Sequence, residues 1–476
     1  MKTNINKLIT YANERDLLNK RDNAYMYNQL CYLLKKEVTE AYQVTPCDIH
    51  IDDLLDQLAS DYQQFETQTE KELFKSKIIG TVIERPSNIE NRFYDFYNID
   101  PKLATGFFYK FSSDVNYVKE REVAKNIEYK VDSEYGEIDI TINLSKPEKS
   151  TKEIEMLKKA ASSNWPLCFL CKEQEGLYGS LKNPDRSNHR IIGLELNNKE
   201  WFLQYSPFSY FNEHSIVLSN AHEDMKIDRN TFSNLIEFIK LFPHYMIGSN
   251  ADIPIVGGSM LTHDHYQTGN YEFGLFKTKS TLEKIVDGVE LHSVVWPLHT
   301  VKLVSNDTEK LLDMADTVLS KWLSYEDRDN NIVNFTTVKH NTITPIVRCV
   351  DGIFEMYLIL RNNLTTEDHP TGLYHVDKSR HHIKQENIGL IEAMGLAVLP
   401  ARLKTELETI ASNDTLPADL IHHHSLFEAL EVAKPADRKQ YLYELVGSIF
   451  VECLEDCGVF KYDERKYIEF IRNINE

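Results

Sequence analysis

The sequence is poor in cysteine: it has seven thiols, an odd number, spread over 476 residues. Such a set does not make a disulfide framework, which needs paired and closely spaced cysteines in an oxidising compartment. Only Cys168 and Cys171, in PLCFLCKEQEG, have the C-x-x-C spacing of metal ligands. The same spacing is found in redox pairs and in pairs of buried thiols, so by itself it leaves a metal site and a plain buried pair open.

Long hydrophobic runs are also missing. No apolar stretch approaches the roughly 20 residues that cross a bilayer, so the pattern argues against a membrane protein. The first residues, MKTNINKLITYANERDLL, contain no apolar core of a secretory signal, and we expect a cytoplasmic protein. Hydrophobic residues make up 42% of the chain and charged residues 26%. That balance is typical of a globular protein, and the length suits two or three domains.

Positive charge is scarce. The chain has 53 Lys and Arg against 73 Asp and Glu, a formal net charge of −20. Because nucleic-acid binders neutralise phosphates with a basic surface, this composition argues against a nucleic-acid partner. It does not exclude a small phosphorylated substrate, since a few Arg and Lys side chains can form a local positive pocket.

The periodicity of apolar residues predicts an α+β protein. We interpret residues 1–97 as a helical N-terminal region. The segments 104–118 (ATGFFYKFSSDVNYV) and 136–145 (GEIDITINLS) predict strands, and 146–164 predicts a charged linker that leads into a helix. We divide the remainder into units 98–290 and 291–476, each with antiparallel strands and flanking helices, the second ending in C-terminal helices.

Local signals support several of these elements. An Asn197-Asn198 turn predicts a hairpin, EHSIVLSNAH predicts a strand, and Asp228 is a candidate N-cap for the helix that follows it. In the second unit Asp351-Gly352 predicts another hairpin turn. The stretch KQENIGLIEAMGLAVLP fits a helix or a strand equally well.

The segment THDHYQ carries the chemistry. In an extended strand alternate side chains share a face, so His263, His265 and Gln267 would line one side about 6.5 Å apart. One histidine could then bind a metal while its neighbour reacts with a substrate. The alternative is a solvated strand face. A zinc site with Cys168 and Cys171 needs further ligands, and the nearest candidates are six histidines: His189, His214, His222, His244, His263 and His265.

Taken in order, CFLC, IVLSNAH and GSNADIPIVGGSMLTHDHYQ resemble the galactose-1-phosphate uridylyltransferases of the histidine triad superfamily, in particular their second, bacterial subgroup. ITINLSKPEK, QYSPFSYFNEH, HNTITPIV and IGLIEAMGLAVLPARL extend the resemblance over most of residues 80–405. It implies that the two α+β units are histidine-triad-like. It also implies a homodimer.

The resemblance implies a transfer of uridylyl from UDP-glucose to galactose 1-phosphate, giving UDP-galactose and glucose 1-phosphate. The route would be ping-pong, with the uridylyl carried on His265, and Gln267 would hydrogen-bond the phosphoryl oxygens. No organic cofactor is implied. A structural zinc would be held by four side chains: Cys168, Cys171, His222 and His263.

A further set of residues would bind the substrates: Asn250, Arg186, Arg190, Phe208 and Lys384, with Arg348 as a weaker candidate. The alternatives are a pair of surface arginines and, for Phe208, a core aromatic. We expect His214 to pack or hydrogen-bond rather than to bind zinc. The chain reads YHVD at 374–377, so Asp377 stands where the subgroup has a histidine, and we place no metal or sugar contact there.

Two other functions stay open at this point. One is a different nucleotidyltransferase, phosphorylase or hydrolase of the same superfamily. The other is a protein without catalytic activity that binds zinc or a nucleotide sugar, which leaves His265 and Gln267 unexplained.

Overall fold

The structure is a computed structural model that describes residues 1–145, 165–180, 182–258 and 260–475. The charged linker and helix predicted for 146–164 lie outside the described residues. The backbone divides into two compact units. The first comprises Met1–Glu122, Lys146–Ser209 and Ser215–His222, and the second comprises Val123–Ser145, Tyr210–His214 and Glu223–Glu476.

Helices with short connections make up the beginning of the first unit, as the periodicity predicts. Thr67 opens one of them with a capping box, in which its hydroxyl accepts from the Glu70 N–H and the Glu70 carboxylate accepts from the Thr67 N–H. The helices are α1 (Lys2–Glu14), α2 (Asn23–Leu33), α3 (Ile51–Tyr62), α4 (Gln68–Thr81), α5 (Pro86–Tyr97), α6 (Pro101–Asp114) and the short α7 (Glu120–Val123).

The prediction of a strand over 104–118 is wrong, because most of this segment lies in α6. Asp100 caps that helix through the Lys102 N–H, and Pro101 occupies its first turn. Ala104, Phe108 and Phe111 are buried at helical spacing. The run of aromatic residues suggested a strand, but the start signals just before it and the spacing of its buried residues are helical.

An antiparallel meander completes the described part of the first unit. Asn197 and Asn198 connect its first two strands with φ angles of +50° and +59°, as a type I′ turn requires. The predicted hairpin and the strand after it are therefore confirmed. The strands follow the order β3 (Ile192–Leu196), β4 (Lys199–Tyr205) and β5 (Ser215–Ser219).

The second unit contains a large antiparallel sheet. Neighbouring strands of the sheet are hydrogen-bonded in the order β7-β6-β11-β12-β10-β9-β8. The predicted Asp351-Gly352 turn joins β11 to β12, with φ angles of +51° and +82°. The strands are β6 (Met246–Gly248), β7 (His265–Gly269), β8 (Ser280–Val286), β9 (Val289–Val294), β10 (Thr300–Ser305), β11 (Asn341–Val350) and β12 (Ile353–Asn362).

Two amphipathic helices, α8 (Arg229–Leu241) and α10 (Thr308–Leu323), pack on this sheet and on each other. Asp228 caps α8 through the Asn230 and Thr231 N–H groups, as predicted. A single turn, α9 (Gly274–Lys277), lies between β7 and β8.

A smaller mixed sheet also belongs to the second unit. Strands β1 (Ile127–Ser133) and β2 (Gly136–Ile142) form a hairpin, and β13 (Leu396–Leu399) pairs with β2 in parallel. The ambiguous stretch before β13 holds both elements, since the short helix α11 (Leu390–Ala393) precedes the strand. Gly395 lies between them at a φ of +99°, a conformation that favours glycine.

Helices form the end of the second unit, as predicted: α12 (Arg402–Ser412), α13 (His424–Ala433), α14 (Arg438–Asp456) and α15 (Arg465–Arg472). With its antiparallel sheets and separate helical regions, the chain is α+β, and the predicted fold class is confirmed. In the described part of the chain, no helix combines the length and apolarity needed to span a bilayer.

Candidate active site and metal centre

The residues of THDHYQ lie where β7 begins. His265 is the first residue of the strand and Gln267 lies two residues later, opposite Gly248 of β6. The predicted alternation therefore holds for His265 and Gln267. His263 precedes the strand in a bend, so the prediction that all three residues belong to one strand is wrong for His263.

His265 is buried, with 7% of its surface exposed, and is held in one tautomer. Its Nδ1 lies 2.9 Å from the backbone carbonyl oxygen of His263. Because a carbonyl can only accept, Nδ1 carries the proton and Nε2 of the neutral ring keeps its lone pair. Burial lowers the pKa of His265, an effect that the carbonyl partly offsets. The ring is thus a neutral imidazole with a nucleophilic Nε2.

Gln267 is oriented by a second histidine. Its Oε1 lies 3.2 Å from Nε2 of His214, which is buried against the ring of Phe211. Burial lowers the pKa of His214 to about 4, so at neutral pH this ring carries a single proton. Donation of that proton from Nε2 to Oε1 leaves the Gln267 amide NH₂ available as a donor.

The other face of the strand is anchored in the core. Tyr266 is buried, and its hydroxyl accepts a hydrogen bond of 3.0 Å from the Asn234 amide of α8. The Asp264 N–H donates to the Glu223 carbonyl at 2.8 Å. These contacts fix the backbone that carries His265 and Gln267.

Three of the predicted metal ligands lie together in the first unit. The Sγ atoms of Cys168 and Cys171 are 3.7 Å apart, and Cys171 Sγ is 3.3 Å from Nδ1 of His222. His263, the fourth predicted ligand, belongs to the second unit.

The donor set fits zinc. Two thiolates bound tetrahedrally at about 2.3 Å are about 3.8 Å apart, close to the 3.7 Å between the two Sγ atoms. Burial raises the pKa of the Cys171 thiol to about 11, so a bound cation is what would favour its thiolate form. Four protein ligands leave no open position, which is typical of a structural site.

We expect Cys171→Ser to lose the bound metal. With zinc at about 100 times its Kd, binding contributes about 2.7 kcal/mol to the free energy of unfolding. The variant should lose that contribution and become insensitive to a chelator, as measured by elemental analysis and by thermal unfolding with and without chelator. Cys349→Ser, at a half-buried cysteine outside the group, is the matched control. Full metal content in Cys171→Ser would contradict this assignment.

Asn250 is buried, and its side chain joins two loops. Its Oδ1 accepts a 2.9 Å hydrogen bond from the N–H of Leu390, at the start of α11. A Cβ at Gly258 would lie 2.8 Å from the Asn250 Nδ2, so glycine is needed beside this amide. The contact with Leu390 uses the oxygen of Asn250 and leaves its NH₂ group as the donor.

The two predicted arginines of the first unit are buried, not exposed. Arg186 donates to the Tyr117 hydroxyl, and Arg190 donates to the carbonyls of Glu84 and His189. His189 stacks on Tyr117 with 4.4 Å between ring centroids. Among the described residues, Arg186 Nε and both ring nitrogens of His189 are buried without a hydrogen-bond partner.

The other cationic candidates already have anionic partners. Lys384 is buried and lies 2.5 Å from Glu392, and Arg348 pairs with Glu355 at 2.7 Å. Burial works to lower the pKa of Lys384, but Glu392 outweighs it and the pKa is raised. Phe208 is half-buried, and its carbonyl accepts from the Ser206 hydroxyl at 3.2 Å.

Asp377 caps a turn of 3₁₀ helix. Its carboxylate accepts from the N–H of Ser379 at 2.9 Å, and the residue lines a cavity of about 330 Å³ together with His375 and Lys461.

Sequence reasoning missed the partnership of His214 with Gln267. The two are 53 positions apart, and no spacing rule links them. It also missed a group formed by Glu406, His422 and His423, for which the run IHHHS at 421–425 was an available signal.

Comparison with known proteins gives a consistent result. The family model described as galactose-1-phosphate uridyl transferase, N-terminal domain, matches residues 16–224, and that of the C-terminal domain matches residues 237–427. Galactose-1-phosphate uridylyltransferase of Clostridium perfringens (strain SM101) is 42% identical over 99% of this chain and 98% of its own. The protein of the same name from Clostridium acetobutylicum is 42% identical over 99% of this chain and 99% of its own. The one from Streptococcus pneumoniae (strain CGSP14) is 40% identical over 100% of this chain and 99% of its own.

Among solved structures, yeast Ap4A phosphorylase Apa2 is similar over 77% of this chain and 94% of its own. The identity is 14% and the TM-score 0.37, so we draw no conclusion from that superposition.

Proposed function

The chain belongs to the galactose-1-phosphate uridylyltransferase family, which makes it a hexose-1-phosphate uridylyltransferase, and from this premise we propose that it works through a covalent uridylyl-histidine at His265. UDP-glucose donates the uridylyl group and galactose 1-phosphate accepts it. The observation that carries the proposal is the hydrogen bond from His265 Nδ1 to the His263 carbonyl, because it leaves Nε2 free to attack.

The reaction takes two displacements at the same phosphorus. Nε2 of His265 attacks the α-phosphorus of UDP-glucose, the bond from that phosphorus to the bridging oxygen breaks, and glucose 1-phosphate leaves. A phosphate oxygen of galactose 1-phosphate then attacks the same phosphorus, the phosphorus–nitrogen bond breaks, and UDP-galactose leaves with His265 restored. Neither step requires a net proton transfer, since Nδ1 keeps its proton throughout.

The carbonyl of His263 serves both steps. Once Nε2 bonds to phosphorus the imidazole becomes cationic, and the charge is shared with Nδ1–H. A carbonyl oxygen already 2.9 Å from Nδ1 stabilises that charge without reorganising. The same contact keeps the ring oriented for attack.

Gln267 supplies a donor to the reacting phosphoryl group. It lies two residues from His265 along β7, so its amide projects from the same side of the strand. An amide NH₂ can donate to negative charge that gathers on the non-bridging oxygens. His214 is the positioning residue, because its bond to Oε1 leaves the NH₂ end facing away.

We expect His214→Phe to lower kcat by about five- to thirtyfold, the equivalent of about 1–2 kcal/mol for a lost buried hydrogen bond, with little change in KM. The ring of phenylalanine keeps the packing but cannot donate to Gln267. In a Gln267→Ala background the same replacement should have no further effect, because its partner is gone. Additive losses in the double variant would mean that His214 acts on stability alone.

Arg186 is our candidate for the positive charge that the substrate's phosphates need, together with Arg190. Support comes from the buried Arg186 Nε and His189 ring nitrogens, which have no hydrogen-bond partner among the described residues. Donors buried in this way are costly unless a ligand satisfies them. The NH₂ group of Asn250 is a further candidate donor, and Phe208 is a candidate for contact with the uracil ring. Lys384 is a weaker candidate, because Glu392 neutralises it.

Zinc is our assignment for the group of Cys168, Cys171, His222 and His263. When bound, it would act as a structural ion. His263 would then have two functions: its ring would bind the metal and its carbonyl would hold His265. The homodimer implied by the family resemblance stays a prediction.

Isotope exchange tests the two-step route. The protein is incubated with UDP-glucose and labelled glucose 1-phosphate in the absence of galactose 1-phosphate. A ping-pong route carries label into UDP-glucose, whereas a route that needs both substrates bound together gives no exchange. A His265→Asn preparation, purified in the same way, controls for contaminating activity.

A further inference from the structure

A second group of metal-ligating side chains lies in the second unit and has no part in the proposed transfer. Glu406 is on α12, and His422 and His423 end the 3₁₀ turn (Ala418–His423) that precedes α13. One ligand atom from each of the three lies within 4.8 Å of the others. We refer to these three residues as the Glu406 group.

The donor atoms converge on the carboxylate. Nε2 of His423 is 3.0 Å from Oε2 of Glu406, and Nε2 of His422 is 3.8 Å from Oε1. His423 is fully buried, whereas 42% of the His422 side chain is exposed. The group therefore has a fixed inner member and an open side toward solvent.

Neighbouring side chains orient these donors. Nη1 of Arg402 donates to Oε2 of Glu406 at 2.7 Å, and its Nη2 donates to the carbonyl of His382 at 2.9 Å. Nδ1 of His382 lies 2.9 Å from Nδ1 of His423. Hydrogen bonds of this kind, to the far side of a ligand, are what fix the tautomer and ring orientation of metal-binding histidines.

The position of the protons decides what the group can bind. With Nδ1–H of His382 donating to His423, and Nε2–H of His423 donating to Glu406, every bond is satisfied without a metal. If His423 instead donates from Nδ1 to His382, the lone pair on Nε2 of His423 faces the negatively charged Glu406 carboxylate. That arrangement is favourable only with a cation between the two groups. A metal would therefore replace the proton between His423 and Glu406. His382 would pass its Nδ1 proton to His423 and take up a proton at its own Nε2, so both rings stay neutral.

We propose that Glu406, His422 and His423 bind a divalent cation of the borderline class, with Zn²⁺ as its representative. Two imidazoles and one carboxylate suit Zn²⁺, Co²⁺ and Fe²⁺ better than Ca²⁺ or Mg²⁺. Three protein ligands leave at least one position for water or a small anion. Arg402 adds positive charge beside the carboxylate, so this site binds more weakly than the four-ligand cysteine site. The bound cation cross-links α12 to the turn before α13.

Cobalt titration of the full chain tests the site, because Co²⁺ reports on its ligands. After metals are removed with a chelator, Co²⁺ at the cysteine site gives the strong near-ultraviolet charge-transfer band of thiolate ligands. A second equivalent should give only weak visible bands, because its ligands include no thiolate. His422→Asn should weaken this second equivalent by about tenfold or more and leave the thiolate band intact.

His424→Asn is the matched control, since His424 is the adjacent histidine in the run, is 67% exposed and lies outside the group. It should bind the second equivalent as the wild type does. His422 is exposed, so its replacement should not disturb folding, and Glu406→Gln provides a second variant. The proposal is overturned if the wild type binds one equivalent only, or if His422→Asn and Glu406→Gln both bind the second equivalent unchanged.

Discussion

Replacing His265 with asparagine should abolish turnover and keep the fold. Without Nε2 the α-phosphorus has no nucleophile, and losses at such a position are about 10⁴-fold or more. The asparagine amide can still donate to the His263 carbonyl, so the contact that His265 makes at 2.9 Å has a substitute. The measurement is kcat for formation of UDP-galactose, with circular dichroism and thermal unfolding as checks on structure.

His292→Asn provides a matched control for that experiment. His292 is another strand histidine, half-buried on β9, where it pairs with Glu290 at 2.9 Å. It should retain wild-type kcat. A His265→Asn enzyme with near-normal turnover would rule out the covalent intermediate.

Replacing Gln267 with alanine should lower kcat by about 10²- to 10³-fold, which corresponds to about 2.7–4 kcal/mol of lost transition-state stabilisation. The amide donates to charge that is greatest in the transition state, so KM should change little. Gln267→Glu should be as impaired or more so, because it places a negative charge beside the phosphoryl oxygens. Steady-state kinetics with both substrates varied separates the two parameters.

A rise in KM with unchanged kcat would show that Gln267 binds the ground state and the transition state equally. The same result would remove the mechanistic role of His214, which acts only through this amide. Gln204→Ala, at a buried glutamine of β4, controls for the loss of an amide elsewhere in the chain.

Local turn and capping rules predicted much of the fold. The Asn197-Asn198 and Asp351-Gly352 turns formed as expected because their left-handed backbone suits those residue types. Asp228 likewise caps α8. The aromatic run in 104–118 favours a strand, whereas Asp100 and Pro101, directly before it, are start signals of the helix α6 that forms.

Contacts in the site between residues close in the sequence could be predicted better than contacts between distant segments. The tautomer of His265 depends on the carbonyl of His263, only two residues away in the sequence. The contact of His214 with Gln267, and the arrangement of Glu406 with His423, depend on which segments the fold brings together. Strand periodicity does not define the residue at which a strand starts. It therefore did not show that β7 starts at His265 and leaves His263 outside.

The comparisons establish the family, and the geometry adds a specific account of its chemistry in this chain. Identity of 40–42% over nearly the whole length says which reaction to test. It does not say which of the two histidines is suited to attack. In this chain the His263 carbonyl holds Nδ1 of His265, and for that reason we propose His265 as the nucleophile.

The most direct test of the account is the intact mass of the protein after mixing with UDP-glucose and no acceptor. We predict that the wild type gains the mass of one uridylyl group, that galactose 1-phosphate removes it, and that His265→Asn gains nothing. A wild-type protein that binds UDP-glucose but gains no mass would contradict the covalent route, and an equal gain in His265→Asn would contradict the choice of nucleophile.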